Sequence, residues 1–179
     1  TAPPEHDAAS RLLQLNQCIG DQAETAYNEQ TGTIRFVGTS LDKPIRQPIQ
    51  GLRLASPEEA ARGYLSECGS LFGLNNQAAE LIVKRQNKTE DGRSVIRFQQ
   101  VYQGIPVFGG ELVVQLNTAN DILMVNDAVL PDISLDTQAT LDAAIAQKKA
   151  PALVSAENNV GSDALKVSEA QLWIYSPML

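Results

Sequence analysis

A chain with a single histidine has few routes to catalysis. His6 is the only imidazole among 179 residues, and it follows a Pro-rich start, Thr1-Ala2-Pro3-Pro4. Nucleophilic attack by Ser or Cys needs a base beside it, so no triad is expected. Gly69-Ser70-Leu71-Phe72-Gly73 lacks the G-x-S-x-G spacing of a nucleophile elbow and falls at a helix end. Neither standard glycine-rich phosphate loop occurs. A zinc site takes three or four protein ligands. One His, two Cys in no metal spacing and no His-Glu-x-x-His helix supply too few. The carboxylate pair Glu58-Glu59 is accounted for by helix capping. Neither an active site nor a cofactor is expected in this chain.

The composition is that of a globular protein, 43% hydrophobic and 20% charged, with a net charge of −7. That charge lacks the electrostatic attraction to phosphate on which nucleic-acid binding rests, and no apolar run approaches the ~18 residues of a membrane span. Neither nucleic acid nor membrane is an expected partner. Lys84-Arg85 and Lys88 form a short basic cluster that reads as a solvated strand end or loop. Asn87-Lys88-Thr89 matches a glycosylation sequon, a three-residue pattern frequent by chance. The start without Met reads as a processed N-terminus or a trimmed chain. Cys18 and Cys68 are either two buried thiols or one bridge.

Periodicity supplies the elements. Asp7 to Ile19 read as a helix, with Asp7 as N-cap, Leu12, Leu15 and Ile19 at helical spacing and Gly20 as a stop. A hairpin follows, Glu24–Tyr27 and Thr33–Val37 around a turn from Asn28 to Gly32. Gly38 to Gly51, with Pro44 and Pro48, reads as an extended linker. Ser56-Pro57-Glu58-Glu59 is the clearest helix start: Ser at N-cap, Pro at the first position and Glu at the third form a capping box. Ala61, Tyr64, Leu65, Cys68, Leu71 and Phe72 continue as one apolar stripe, which Gly73 is placed to end.

Antiparallel strands come next. They are Leu81–Val83, then Val95–Tyr102 with Ile96, Phe98, Gln100 and Tyr102 on one face, then Glu111–Leu116, and Ile122–Val125 after a turn at Ala119-Asn120-Asp121. One helix laid across a meander of about four strands is an α+β layer architecture. A third helix takes Asp136 or Thr137 as cap, Leu141, Ala144 and Ile145 as its apolar face and Lys148-Lys149 at its negative end, with Pro151 closing it. Strand candidates at Ala164–Val167 and Gln171–Tyr175 complete a second helix-plus-strands unit.

The most specific segment is Arg97-Phe98-Gln99-Gln100-Val101-Tyr102-Gln103-Gly104-Ile105-Pro106-Val107-Phe108-Gly109-Gly110. It joins an alternating strand to a Gly-Ile-Pro turn and a second apolar strand. It resembles the signature of the fungalysin/thermolysin propeptide (FTP) domain found ahead of the catalytic domain in secreted zinc proteases. Leu71-Phe72-Gly73-Leu74 is similar to that family's helix-ending element, and Glu111–Val114 and Ile122–Asn126 to its following strands. Two departures stand out: Asn120-Asp121 and Asp127 occupy positions where the family often has glycine. Residues 132 to 179 resemble the start of a PepSY domain, with Leu172–Pro177 similar to its "L-x-IY-x-P" strand.

The resemblance implies three units: 1–50, an N-terminal helix, hairpin and linker; 51–130, the FTP domain; and 131–179, a partial PepSY-like domain. The strand that would return after Leu179 is missing, so the chain is expected to be a fragment of a longer precursor. The motif residues Arg97, Phe98, Gln99, Gln100, Tyr102, Gly104, Pro106, Val107, Phe108 and Gly109 are expected to be mainly structural. Gly104 and Gly109 would permit tight backbone, Pro106 would restrict a turn, and Phe98, Tyr102 and Phe108 would fill a core. Gln99, Gln103 and Glu111, on faces opposite Phe98, Tyr102 and Leu112, are candidate partner contacts. The family implies a secreted, extracellular or periplasmic, location. With both cysteines on or beside apolar helix faces, a Cys18–Cys68 bridge is expected in such an oxidising compartment. The implied function is the prosequence of a secreted zinc metallopeptidase, a chaperone and inhibitor whose partner is the cognate catalytic domain. The alternative is an FTP/PepSY binding or regulatory module in a secreted protein without a protease domain.

Overall fold

The helix start at Ser56 forms as its residue types dictate. Ser56 Oγ accepts from the Glu59 N–H at 3.3 Å, and the Glu59 carboxylate accepts from the Ser56 N–H at 2.8 Å, so two orphan donors are satisfied reciprocally. Helix α1 (Pro57–Cys68) buries Ala60, Ala61, Tyr64, Leu65 and Cys68. A 3-10 turn, Gly69–Phe72, continues it until Gly73 turns left-handed at φ 83°. This computed structural model describes residues 15–20, 22–161 and 164–179.

Six strands, β1 (Glu24–Tyr27), β2 (Ile34–Gly38), β3 (Leu81–Lys88), β4 (Ser94–Tyr102), β5 (Ile105–Leu116) and β6 (Ile122–Asp127), form one antiparallel sheet. Their order is β1-β2-β6-β5-β4-β3. Strands β3 to β6 are the meander the alternation predicts. The leading hairpin extends that meander into a wider sheet, because β2 pairs with β6 through Phe36–Asn126 and Val37–Val125. The stretch after it is held too, by reciprocal Ile45 and Ile122 backbone bonds of 2.9 Å.

Alternation sends Val37, Ile96, Phe98, Leu112, Val114 and Val125 to the inner face, where they pack with Tyr64, Leu65 and Phe72. Burial of each large side chain contributes about 1.5–3 kcal/mol. Helix α1 is further tied to β3 and β4: the Arg62 guanidinium lies 5.2 Å from the Phe98 ring centre and donates to the Leu81 carbonyl at 3.4 Å. A short helix α2 (Gln77–Glu80), capped by Asn76, leads into β3.

Cys18 and Cys68 are bonded, with Cα atoms 5.7 Å apart. Residues 15–19 are helical, and the rest of the expected first helix, 7 to 14, lies outside the described residues. The Tyr64 hydroxyl donates to the Cys18 carbonyl at 3.0 Å, and burial raises its pKa. The N-terminal segment is thus fastened to α1 twice.

The C-terminal third departs from the sequence reading. Helix α3 (Ala143–Asn158) is capped by Asp142, which accepts from the Ala144 N–H at 2.8 Å. Asp136 instead closes a local turn with the Gln138 N–H. Pro151 lies inside α3 and does not close it. A proline removes one ladder bond, but good helix formers on both sides, Ala150, Ala152, Leu153 and Ala156, carry the helix through. Neither expected strand forms: 164–167 has no strand partner, and 171–175 makes a single parallel bridge, Ile174 to Val107. Extended segments need a free edge, and β5 offers one only where β6 has ended.

The bridge closes a loop of 50 residues, a constraint on the unfolded chain of roughly 4 kcal/mol in the chain-entropy account. The double variant Cys18→Ala/Cys68→Ala should lose about 3–4 kcal/mol in urea unfolding while keeping the far-ultraviolet signature of the sheet. Unchanged stability would contradict the tie.

Candidate partner-binding face

The central hairpin is built on backbone that few residues tolerate. Gln103 at φ 51° and Gly104 at φ 81° are the two central residues of a tight turn with both φ values positive, the geometry that suits strand twist. The turn is therefore Gln103-Gly104, not Gly-Ile-Pro. Pro106 belongs to β5 and faces Val101. Pairing slips between Gln99 and Val101, and Gly109 at φ 80° accommodates the bend on the other strand.

Two glutamines hold that bend. Gln99 is 5% exposed, and its amide nitrogen donates to the carbonyls of Val107 at 2.7 Å and Gly110 at 2.8 Å. It is not the free partner contact that alternation suggests, because the pairing slips just beyond Gln99 and the bent strand brings the carbonyls of Val107 and Gly110 onto its amide. Gln100 is 1% exposed. It donates to the Leu130 carbonyl at 2.7 Å and accepts the Leu130 N–H at 2.9 Å, mimicking a strand partner for the chain leaving β6. Buried amides need such partners.

The other motif residues divide. Phe98 and Val107 are fully buried, and Tyr102 is half-buried. Phe108, expected in the core, is 61% exposed and stacks near Trp173 and Tyr175, with ring centres 6.3 and 6.4 Å away. Strand alternation puts Phe108 opposite to Val107, on the side where the chain around Ile174 docks. Gln103 is exposed and accepts from the Thr137 hydroxyl at 2.8 Å.

The remaining surface of this region is the sheet face away from α1. Here Glu111 takes Lys84 Nζ at 2.5 Å and also pairs with Arg97. The Lys84 ammonium, with the Arg97 guanidinium, holds the Glu111 carboxyl below its usual range. Glu111 is thus a fixed anion between two cations, suited to recognition and not to proton transfer. Lys84 is more than a solvated strand end, and only pairing across three strands reveals its partner.

Both departures, at Asn120-Asp121 and at Asp127, have a physical account. Asn120 adopts φ 61°, a conformation usually left to glycine, and its amide donates to the Ala55 carbonyl at 2.8 Å. Asp121 is buried against Arg46 at 3.0 Å and Arg53 at 3.4 Å. Asp127 is 5% exposed and accepts the Val129 N–H at 3.1 Å. Its burial, only partly offset by that bond, pushes the carboxyl up to about 8. Strongly shifted carboxyls mark candidate acids. Asp127 faces Leu112 in the sheet and lines neither of two surface grooves of the described residues. Among the described residues no three His, Cys, Asp or Glu side chains gather as a metal site would require. A groove of about 360 Å³ lies between α2, the end of β4 and residues 130–133. A second, of about 440 Å³, lies between α3 and residues 170–172.

The region is thus a helix-backed antiparallel sheet with a buried motif that braces itself and an ion-paired outer face. Residues 79–129, which span β3 to β6, match the Fungalysin/Thermolysin Propeptide Motif. The chain is similar to thermolysin of Alicyclobacillus acidocaldarius subsp. acidocaldarius and to thermolysin of Bacillus caldolyticus. Each is 33% identical over 125 residues, 69% of this chain and 21% of the relative. Bacillolysin of Brevibacillus brevis is 28% identical over 156 residues, 83% of this chain and 28% of the relative. The chain spans about a fifth of the length of the thermolysins it matches. It carries a propeptide motif of the fungalysin and thermolysin peptidases.

Two measurements probe the bracing. Between the ordinary carboxyl value, 3.8, and about 8, the folded chain keeps a proton on Asp127 that the unfolded chain releases. This group's contribution is fully present below 3.8 and is lost as pH rises through about 8. Asp127→Asn should therefore gain on the wild type as pH rises, by a few kcal/mol at pH ~8, with little difference at pH ~4. Urea melts giving the same difference at both values would refute this. Gln100→Ala strands the Leu130 N–H and carbonyl and should cost about 2–4 kcal/mol. Faster amide exchange localised at 128–131 would be the accompanying sign, and its absence would argue against the clamp.

Proposed function

We propose that this chain is the prosequence, or part of it, of a secreted thermolysin-like zinc metallopeptidase, serving as chaperone and inhibitor of its catalytic domain. The observation that carries the reading is that β3 to β6, the braced centre of the sheet, is the part that matches the propeptide motif. The similarity to thermolysins over 69% of the chain supports it further. Assisted folding and inhibition need a complementary surface and no bond-making group. The chain itself is assigned no catalytic chemistry; any protease activity belongs to a catalytic domain in the same precursor.

Residues 51–130 are the FTP domain in this reading, with the hairpin of the 1–50 segment paired onto its sheet. Residues 131–179 are the start of a PepSY-like unit. Helix α3, with no buried residue, and the single bridge at Ile174 suit a unit whose packing is incomplete. Export is supported by the Cys18–Cys68 bond, since such bonds persist in oxidising compartments. No helix of the described residues is long and apolar enough to cross a membrane.

The test adds the purified chain to mature Bacillus caldolyticus thermolysin and follows peptide hydrolysis and, separately, recovery of activity from the denatured enzyme. A lower rate or a higher refolding yield is expected. No effect on either would overturn the reading. A precursor with no His-Glu-x-x-His segment would favour a binding module over a prosequence.

A further inference from the structure

Strands β3 and β4 and their turn hold five of the chain's 14 basic residues and two of its 21 acidic ones. Both acids, Glu90 and Asp91, sit in the turn, where Asp91 is occupied by Arg93 at 2.7 Å and by the Thr89 hydroxyl at 2.5 Å. The strands themselves present Lys84, Arg85, Lys88 and Arg97, all exposed, in a chain of net charge −7. Among the described residues Glu111 is the one carboxylate that pairs with any of them, and it is shared by Lys84 and Arg97.

One pairing makes the surplus more than a matter of composition. Arg85 and Arg97 are direct cross-strand partners. Like charges placed opposite each other in an antiparallel pair are destabilising. Among the described residues Arg85 has only a neutral acceptor, Asn87 Oδ1 at 2.9 Å. A bulge between Val83 and Arg85 brings Lys84 to the same face to reach Glu111. Three cations are therefore gathered around one anion beside exposed Ile82, on the free edge of the sheet. An acidic surface brought against this face would relieve the repulsion that the isolated fold retains.

We infer that the outer face at β3 and β4, centred on Arg85, Lys84 and Arg97, is the docking surface for an acidic patch on a folded protein partner. Given the prosequence reading, on which this inference rests, that partner surface lies on the peptidase domain. The overall negative charge of the chain works against nucleic acid and anionic lipid as occupants, since their charge is extended and meets the whole molecule. A local acidic patch meets only this edge, and complementary charge sets orientation and encounter rate.

The test measures binding of the whole chain to mature thermolysin of Bacillus caldolyticus at several salt concentrations. Wild type should bind more weakly as salt rises. Arg85→Glu should weaken binding about tenfold or more and flatten the salt dependence, whereas Arg85→Lys should bind nearly as wild type. Arg85→Glu also replaces a like-charged pair by an opposite one, so its own melting temperature should hold or rise. This separates lost recognition from lost fold. Lys149→Glu, on exposed α3, serves as the control and should leave binding unchanged. If wild type binds and Arg85→Glu binds within twofold of it, the docking surface is refuted while the prosequence reading stands. If wild type binds neither native nor refolding thermolysin, the prosequence reading falls and this inference with it. Binding of a DNA duplex or phosphatidylserine vesicles as tightly as the peptidase would refute the commitment to a protein surface.

Discussion

Two buried glutamine amides set the shape of this protein. A buried amide without partners costs more than its hydrogen bonds return, so the chain around Gln99 and Gln100 must supply carbonyls and an N–H at fixed positions. Gln99 supplies donors to Val107 and Gly110 where the ladder of the β4–β5 hairpin is interrupted. Gln100 holds Leu130 as a strand would. One residue therefore stabilises a bend and the next fixes where the chain goes after the sheet ends.

The consequences spread outward from that bend. The bent first half of β5 projects beyond the end of β6, leaving an edge on which Ile174 docks through bonds to Pro106 and Phe108. The C-terminal segment bridges to the sheet there, and the aromatic group of Phe108, Trp173 and Tyr175 assembles around that contact. On the other side of the sheet, the inner face remains regular enough for α1 to cover it, and the disulfide carries the N-terminal segment onto the same helix. Bracing by amides and a covalent tie leaves the outer face free of structural duty, and the charged side chains collect there.

That division matches the way a prosequence would have to work. A scaffold that templates or blocks another domain needs a rigid inside and a presentable outside. The pairing of Glu111 with Lys84 and Arg97 gives the outside a fixed arrangement of charge in place of a set of mobile side chains, which lowers the ordering cost of recognition.

The local features were legible in the residues. The capping box at Ser56, the stripe through Tyr64, Leu65 and Cys68, the β4 alternation and the hairpin at 24–37 all express interactions between near neighbours, which spacing encodes. The family signature was legible for the same reason, being one continuous stretch. What only the tertiary structure decided is every feature that depends on distant partners. Gln99 looked exposed because alternation assumes an unbroken ladder, whereas the pairing slips just beyond it and the Val107 and Gly110 carbonyls close over its amide. Phe108 looked buried because hydrophobicity does not say which face of a bent strand is covered. Pro151 looked like a stop because a lost hydrogen bond is visible in sequence, while the propensity of both flanks to continue is a sum over neighbours. The six-strand order, the Ile174 docking and the Arg85–Arg97 juxtaposition depend on which strand lies beside which. No short-range pattern contains that, because pairing is settled by the burial of the whole inner face at once.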